Sequence, residues 1–387
     1  MRALRRVLLA AALTAAGMGS AMADITVGAV LSLTGPAASL GIPEQKTLDL
    51  LPKEIGGQKI RYVVLDDRSD PTEAVKDAKQ LIESDKVSAI IGASVTPSAL
   101  AMLDVVGAAK VPTITLASGY NIAFPVSGNR EWIFMPVQTT ALMAQATSQY
   151  MASQGVRKVG FIGFDNALGE DWWKNFSAEA HAAKIHVVAS ERFAPNATSV
   201  TGQVLHILAS KPDAVLIAAS GTPAVLPEKT LRQIGFKGRI YQTHGVANPD
   251  FLRVCGSTCD GTVLSLSPGI VAAQLSDDTE IKQSAMRFAQ TYEKAYGPNS
   301  LNQFSTAAWD AGLFLEYAIP KALKTASPED LSAFRLALRQ AMVGIHNFPG
   351  SQGVYNMSAT NHNGLDSRAV AIAEIRAGQW KLLKYPN

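Results

Sequence analysis

Two pairs of side chains in the sequence carry groups that enzymes use for acid–base or metal chemistry. Asp66 and Asp67 are adjacent carboxylates at the end of an apolar run, and His181 and His186 are imidazoles five positions apart. Adjacent residues of a strand point to opposite faces, so the two carboxylates cannot converge on one substrate from that strand. The histidines span a predicted helix end and are interpreted as surface residues. Neither pair predicts a catalytic site.

The signatures of common phosphate-binding and hydrolytic sites are missing from the sequence. There is no G-x-G-x-x-G after a strand and no G-x-x-x-x-G-K-[ST], the two motifs whose loops cradle phosphates. There is also no G-x-S-x-G, the turn that exposes a nucleophilic serine in α/β-hydrolases. The sequence therefore predicts neither an enzyme nor a bound cofactor.

Small and hydroxyl-bearing residues recur where the predicted strands end. Ligands of open α/β sheets bind outside the carboxyl ends of the strands. Hydroxyls and free backbone N–H groups at helix N-termini suit a carboxylate or another small anion. The pattern predicts a ligand cleft between two α/β units, lined by these groups: Ser32, Thr34 and Gly35; residues 92–96; residues 117–119; residues 163–165; residues 219–221; and His244 with Gly245.

Strand and helix signals alternate along the chain after residue 24. Short Val- and Ile-rich runs such as VSAIIG and DAVLIAA are typical of strands buried in a parallel sheet. Asp70-Pro71 and Thr96-Pro97 each supply a cap and a first helical position, which predicts the starts of two helices. This alternation predicts the α/β class.

The alternation forms two blocks, at about 24–138 and 139–266, and the remainder of the chain differs. Residues 277–343 are mostly helical, and the C-terminal segment is a hairpin that turns at Ala377-Gly378. We expect the late helices to complete one lobe and the last strands to join the other.

The first 23 residues read as a signal peptide rather than as part of the fold. Three arginines precede an apolar stretch that ends in Ala21-Met22-Ala23, a small-x-small cleavage pattern. The apolar stretch is shorter than the roughly 20 residues that span a membrane. The arginines account for the formal net charge of +3, so the remaining chain is neutral and its charge predicts no nucleic-acid partner. The pattern predicts an exported protein.

The two cysteines of the chain, Cys255 and Cys259, stand close together in VCGSTCDG. In an oxidising compartment a small-loop disulfide is the leading interpretation. Without a second cysteine pair or a suitably spaced histidine pair they cannot complete a zinc site. A redox-active pair is the remaining alternative.

Over essentially its whole length after the leader, the sequence resembles the periplasmic substrate-binding components of branched-chain amino acid-type ABC transporters. The resemblance implies a type I periplasmic binding protein fold, a monomer without catalytic activity, and delivery of a small-molecule ligand to a membrane permease. The stretches that carry it are VGAVLSLTGPAASLG, DDRSDPTEAVKDAKQLI, AIIGASVTPSALA, VPTITLAS, LRQIGFKGRIYQTHGVANPDF and AAWDAGLFLEYAI.

The resemblance also implies two Rossmann-like lobes joined by a three-segment hinge. The first lobe is expected to comprise residues 24–138 and 271–350, and the second residues 139–270 and 351–387. The crossings are expected near 137–142, 266–271 and 346–353.

Family positions that bind ligand carry over residue by residue. In the family, the turn that holds Ser94 and Thr96 binds the ligand carboxylate through hydroxyl and backbone N–H groups. The residues implied to line the cleft are Leu40, Ser94, Val95, Thr96, Ala117, Ser118 and Gly119 in the first lobe, and Leu168, Ser220, His244 and Gly245 in the second.

This chain departs from the amino-acid binders of the family at four of these positions. Those proteins usually carry tyrosines at the positions of Leu40, Leu168 and Ser220, and an acidic residue at His244 that pairs with the ligand ammonium. A buried ammonium without that partner is costly, whereas a histidine can donate to or accept from an oxygen. The stretches QTHGVAN and TNHNGLDSR also resemble a subgroup associated with aromatic or other carboxylic acids. We expect a non-amino-acid carboxylate, such as an aromatic acid, as the ligand.

Three other functions compete with this interpretation. The protein could bind a branched-chain or other amino acid, or act as a ligand sensor of the same fold. An exported hydrolase would need a nucleophile, a base and an acid at one strand end, and the sequence offers no such set.

Overall fold

The computed structural model describes residues 24–386, so the predicted signal peptide at 1–23 lies outside the described residues. Within that range, no helix combines the length and the apolar character that crossing a membrane requires.

The first sheet has six strands in the order β2-β3-β1-β4-β5-β6. All are parallel except β2, which pairs antiparallel with β3. The central strand β1 is buried along its whole length because helices cover both faces of the sheet. The strands are β1 (Ile25–Leu31), β2 (Glu54–Ile55), β3 (Gln58–Asp66), β4 (Ala89–Gly92), β5 (Thr113–Ile114) and β6 (Ile133–Phe134).

The helices between these strands are α1 (Ala38–Leu50), α2 (Pro71–Glu83), α3 (Thr96–Ala108) and α4 (Tyr120–Ala123). Helix α2 begins as predicted, with the Asp70 side chain accepting from the backbone N–H groups of Thr72 and Glu73. Helix α3 differs from the prediction, because Thr96 lies inside the helix and the N-cap is Val95, which has no side-chain cap. The Thr96 hydroxyl is therefore not used as a cap.

The second sheet has seven strands in the order β15-β14-β11-β10-β9-β7-β8. Strands β7 to β11 run parallel, and the C-terminal hairpin of β14 and β15 adds two antiparallel strands at one edge. The strands are β7 (Lys158–Phe164), β8 (His186–Phe193), β9 (Ala214–Ala218), β10 (Arg239–Gln242), β11 (Val263–Leu266), β14 (Ala371–Arg376) and β15 (Gln379–Lys384), and the helices are α5 (Thr140–Ser153), α6 (Ala167–Ala182), α7 (Thr201–Ala209), α8 (Val225–Gln233) and α9 (Pro249–Cys255).

Three helices that follow the second block return to the first core. They are α10 (Lys282–Tyr296), α11 (Gln303–Ala322) and α12 (Leu331–Val343). Phe288, Phe314 and Phe334 are fully buried and lie in one apolar cluster with the side chains of the first sheet. The first lobe is therefore built from two separate parts of the chain, and most of the second lobe lies between them in the sequence.

The first lobe extends further along the chain than the predicted boundary at 350. A short hairpin of β12 (Phe348–Pro349) and β13 (Val354–Tyr355) packs against α11, and Tyr355 lies in the first core. The Asp310 carboxylate holds this hairpin by accepting from the Ser351 N–H at 2.7 Å and from the Tyr355 hydroxyl at 2.6 Å. The third crossing consequently follows the hairpin, where 364–370 lead into β14.

A buried network of amides links the crossing segments. Gln303, at the start of α11, donates to the side-chain oxygens of Gln138 at 3.0 Å and Gln352 at 3.1 Å. Its own side-chain oxygen accepts from the Ser267 N–H at 2.8 Å. Gln138 in turn donates to the Ala369 carbonyl at 2.7 Å. The network reaches the first crossing, the second crossing and the segment that precedes β14.

Cys255 and Cys259 form a disulfide at the C-terminus of α9, and both are buried. We expect the double replacement Cys255→Ala with Cys259→Ala to lower the free energy of unfolding by about 2 kcal/mol, the loop-entropy term for so short a loop. Urea unfolding of the double variant and the oxidised wild type measures the difference. Equal unfolding midpoints would contradict a stabilising disulfide, and the reduced wild type is the control that should match the variant.

Candidate ligand-binding cleft

The carboxyl ends of the parallel strands of both sheets face a cleft between the lobes. Two cavities lie in this cleft and are lined by both lobes. The front cavity, of about 270 Å³, is lined by Pro36, Ala37, Ser69, Val95, Pro97, Phe164, Asn166, Leu168, Pro195, Asn196, Ser220 and Pro223. The side cavity, of about 370 Å³, is lined by Thr96, Leu100, Gly119, Asn121, Ala167, Glu170, Asp171, Trp173 and Lys174.

These two cavities bring together five of the residues predicted to bind ligand. Val95, Leu168 and Ser220 line the front cavity, while Thr96 and Gly119 line the side cavity. The other six are buried near the same strand ends without lining either cavity; they are Leu40, Ser94, Ala117, Ser118, His244 and Gly245. A larger cavity of about 520 Å³ lies elsewhere between the lobes, beside α9, α10 and Trp380, and contains none of the predicted residues.

The N-terminus of α3 lies at the first-lobe wall. Helix α3 has 13 residues, and its N-cap, Val95, makes no side-chain cap bond to the first-turn N–H groups. Uncapped N–H groups and the helix dipole favour a negative charge at this point. Thr96 is the first residue of this helix and lines the side cavity. This wall can accept a carboxylate.

The hydroxyl of Ser94 is already engaged within the first lobe. It accepts from the Ser32 N–H at 3.0 Å and forms a short hydrogen bond with the Glu44 carboxyl. Glu44 belongs to α1 and has no exposed surface. This contact could not be predicted from a local motif, because Glu44 lies 50 residues from Ser94.

The turn at Ala117–Gly119 packs closely against the start of α3. A Cβ on Gly119 would lie 2.6 Å from Thr96 Cγ2, so only glycine fits there. The Ala117 N–H donates to Thr115 Oγ1 at 3.3 Å, and the Ser118 carbonyl accepts from the Thr140 N–H at 3.0 Å. The turn is thereby attached to the first crossing.

Leu40 and Gly221 mark a point where the two lobes touch. Leu40 packs with Ala37, Val95 and Phe304 in a small apolar cluster of the first lobe. A Cβ on Gly221, in the second lobe, would lie 3.1 Å from Leu40 Cδ1, and the φ of +64° at Gly221 also favours glycine. The lobes are therefore in contact across the cleft.

His244 and Trp172 are buried together behind the second-lobe wall, and neither residue lines the front or the side cavity. Their rings are stacked with centroids 6.2 Å apart. His244 Nδ1 and Trp172 Nε1 are both buried, and neither has a hydrogen-bond partner among the described residues. Burial lowers the pKa of His244 to about 3, so its imidazole is neutral at physiological pH. A neutral imidazole offers one donor and one acceptor and carries no charge to balance an ammonium.

The remaining residues of the second-lobe wall have structural bonds. Asn166 caps α6 by accepting from the N–H groups of Leu168 and Gly169. The Gly245 carbonyl accepts from the Gly221 N–H at 2.8 Å, and a Cβ on Gly245 would lie 2.6 Å from Ser220 Cβ. These contacts hold the Ser220 turn against the His244 turn.

Asp171 is a cleft residue that the sequence did not reveal. One of its oxygens accepts from the Tyr120 N–H of the first lobe at 2.9 Å and forms a short hydrogen bond with the Thr140 hydroxyl. Its other oxygen, Oδ1, is buried without a partner among the described residues. Burial raises the pKa of Asp171, although these hydrogen bonds act in the opposite direction. Asp171 links the two lobes in the arrangement observed.

Two α/β lobes that enclose a polar cleft at the carboxyl ends of their strands define a ligand-binding receptor with the type I periplasmic binding protein fold. The chain belongs to the periplasmic binding protein family, whose model matches residues 24–379. Members of this family bind small molecules and work with the permeases of ABC transporters.

Similar proteins support this assignment at the level of both sequence and fold. An extracellular ligand-binding receptor from Rhodopseudomonas palustris HaA2 is 41% identical with a TM-score of 0.90, and the match covers 94% of this chain and 100% of that one. Leu/Ile/Val-binding protein homolog 3 of Brucella melitensis biotype 1 is 24% identical over 254 residues, which are 64% of this chain and 68% of that protein. An ABC transporter solute-binding protein from R. palustris, in complex with benzoate, is 23% identical with a TM-score of 0.80, covering 94% and 96%. The chain is thus a branched-chain amino acid-type periplasmic binding protein.

Proposed function

We propose that this protein is exported to the periplasm, where as a monomer it captures a small carboxylate in the cleft and delivers it to an ABC permease. The ligand is an aromatic or other non-amino-acid carboxylic acid. Removal of residues 1–23 as a signal peptide releases the mature receptor. The residues proposed to bind the ligand are those predicted from the sequence, with Trp172 and Asp171 added.

The main observation that favours a ligand without an ammonium group is His244, which is neutral and has no hydrogen-bond partner at Nδ1 among the described residues. Amino-acid binders of the family usually place an acidic residue at this position, and here the side chain is an uncharged imidazole beside Trp172. On the first lobe, the N-terminus of α3 has no side-chain cap and suits a carboxylate, and Thr96 at this helix end lines the side cavity. A ligand with a carboxylate and no ammonium suits both lobes, because its carboxylate can bind at the α3 N-terminus and it brings no positive charge that His244 would have to balance. The benzoate complex of the R. palustris neighbour supports the choice of an aromatic acid.

Calorimetric titration with benzoate tests the proposal. We expect His244→Ala to weaken benzoate binding by about 10- to 100-fold, the effect of removing one hydrogen bond worth about 1–3 kcal/mol in a buried site. His244→Ala also removes a buried ring stacked on Trp172, so the melting temperature of the ligand-free protein should fall, and the affinities are compared well below both melting temperatures. The exposed His181 provides a matched control, and His181→Ala should leave the affinity unchanged. Equal affinity in His244→Ala and wild type would exclude a ligand contact, and an absence of benzoate binding by the wild type would contradict the aromatic acid.

Asp171 favours a second candidate, an amino-acid receptor. Its Oδ1 atom is buried without a partner, and the residue lines the side cavity next to Thr96 and Gly119. A carboxylate in that place can pair with an ammonium group. The name of the Brucella relative, a Leu/Ile/Val-binding protein homolog, points in the same direction.

A further inference from the structure

Glu44 is a buried acidic side chain behind the first-lobe wall. Within residues 24–386 it forms no ion pair. It lies on α1 with no exposed surface, and its one side-chain hydrogen bond within residues 24–386 joins a carboxyl oxygen to Ser94 Oγ. The other oxygen, Oε1, is buried without a partner among the described residues. A carboxylate in such a place loses its hydration without compensation, whereas a neutral carboxylic acid loses much less.

The electrostatic surroundings of Glu44 favour the same neutral form. Burial raises the pKa of Glu44 well above its usual range, and the like charge of Asp67 acts in the same direction. Asp67 follows β3 and is also buried, with its own pKa raised by burial. The other neighbours of α1 on this side are Ser32 after β1, Ser94 after β4 and the Ser305 backbone of α11, none of which titrates. Among the described residues no cation acts on Glu44.

The protonation state of Glu44 decides where the hydroxyl proton of Ser94 points. A serine hydroxyl has one proton to donate and two lone pairs that accept. The Ser32 N–H occupies one lone pair. If Glu44 is ionised, the Ser94 proton must be donated to it, and none is left for a ligand. If Glu44 is a carboxylic acid, it donates to the second lone pair of Ser94, and the Ser94 proton becomes free.

We propose that Glu44 is a positioning residue of the cleft, which as a carboxylic acid donates to Ser94 Oγ and frees the Ser94 proton for the ligand carboxylate. This inference rests on the proposed function, because it takes Ser94 as a contact of that carboxylate. Capture of the ligand is then linked to a proton on Glu44. The affinity for a carboxylate is constant while Glu44 is protonated and falls as the pH rises through the pKa of Glu44.

Benzoate titrations between about pH 6 and about pH 10 test the linkage, because burial raises the pKa of Glu44 above the usual range of a glutamate. We expect the affinity of the wild type to fall by up to about tenfold per pH unit at the alkaline end. Glu44→Gln should bind benzoate within a few-fold of the wild type at the acidic end and show no fall, because its amide N–H donates to Ser94 at every pH. Ser94→Ala should bind more weakly than the wild type at the acidic end, with a flat profile.

Two results would overturn the inference: a Glu44→Gln profile that falls in parallel with the wild type, or a Glu44→Gln affinity as low as that of Ser94→Ala. Should Glu44→Gln fail to fold, the profiles of the wild type and Ser94→Ala decide alone, since parallel falls would exclude Ser94 as the coupled group.

Infrared spectroscopy of the ligand-free protein separates this inference from the proposed function. With ¹³C-labelled glutamate near neutral pH, the difference spectrum of the wild type minus Glu44→Gln should show the C=O stretch of a protonated glutamic acid, because any contribution of the buried Glu228 is common to both proteins and cancels. Absence of that band in the difference spectrum overturns the inference whether or not benzoate binds. Failure of the wild type to bind benzoate at any pH contradicts the proposed function and, with it, the role of Ser94 toward that ligand, even where the band is present.

Discussion

Replacing Gln303 by leucine is expected to lower the free energy of unfolding by about 3–5 kcal/mol, more than most single substitutions. Gln303 is 1% exposed and uses its amide for three hydrogen bonds, to Gln138, Gln352 and the Ser267 N–H. Leucine fills a similar volume but leaves one buried donor and two buried acceptors without their Gln303 partner. Each buried polar group left unpaired costs about 1–3 kcal/mol.

The measurement is urea unfolding followed by circular dichroism, with Gln283→Leu as the matched control. Gln283 lies on α10 and is exposed, so the same replacement there should change stability by less than about 0.5 kcal/mol. Gln303→Glu is a second, near-isosteric variant. Its carboxylate keeps an acceptor for Ser267 but places a charged oxygen against the two amide oxygens, so it should be destabilised at neutral pH as well. Unfolding of Gln303→Leu at the midpoint of the control would contradict the role of the network.

The fold was predictable because its signals are local. Runs such as VSAIIG predict buried strands from their own composition, and the Asp70 cap makes its predicted bonds within three residues. Local signals did not predict the ends of strands and helices or the lobe boundary where tertiary contacts determine them. Strand β5 pairs over only Thr113–Ile114 of the apolar run VPTITL, and helix α3 begins at Thr96, which was expected to be its cap. The third crossing lies beyond 350 because Asp310 holds the β12–β13 hairpin on the first lobe.

The cleft was predictable in outline and not in its contacts. Strand ends converge in any parallel sheet, so the turns that hold Val95 and Ser220 could be placed near one cleft from topology, while Leu168 was placed there by the family resemblance. The pairing of Asp171 with Tyr120 spans 51 residues, and that of Gln303 with Gln138 spans 165. Neither spacing leaves a periodic or motif signal in the sequence. Such contacts become visible only when both lobes are assembled.

Leucine is expected to bind at least about 100-fold more weakly than benzoate, a difference of about 2.7 kcal/mol. Both ligands bring a carboxylate for the N-terminus of α3, but leucine also brings an ammonium group. Burying that charge without a partner costs several kcal/mol. A histidine side chain is either neutral or positively charged, and burial keeps His244 neutral by lowering its pKa to about 3, so it offers no negative charge to the ammonium. Titration of the wild type with both ligands measures the ratio.

Asp171→Asn shows whether the acidic side chain of the cleft changes this outcome. Asparagine keeps an oxygen that can accept from the Tyr120 N–H, so contact between the lobes is retained while the charge is removed. If Asp171 serves only to link the lobes, benzoate affinity should fall by less than about tenfold, and leucine should remain weak in both proteins. Asp165→Asn, at an exposed acid just before α6, controls for the change in net charge. Tight leucine binding by the wild type that is lost in Asp171→Asn alone would instead establish the amino-acid receptor, because only an ammonium ligand needs that carboxylate.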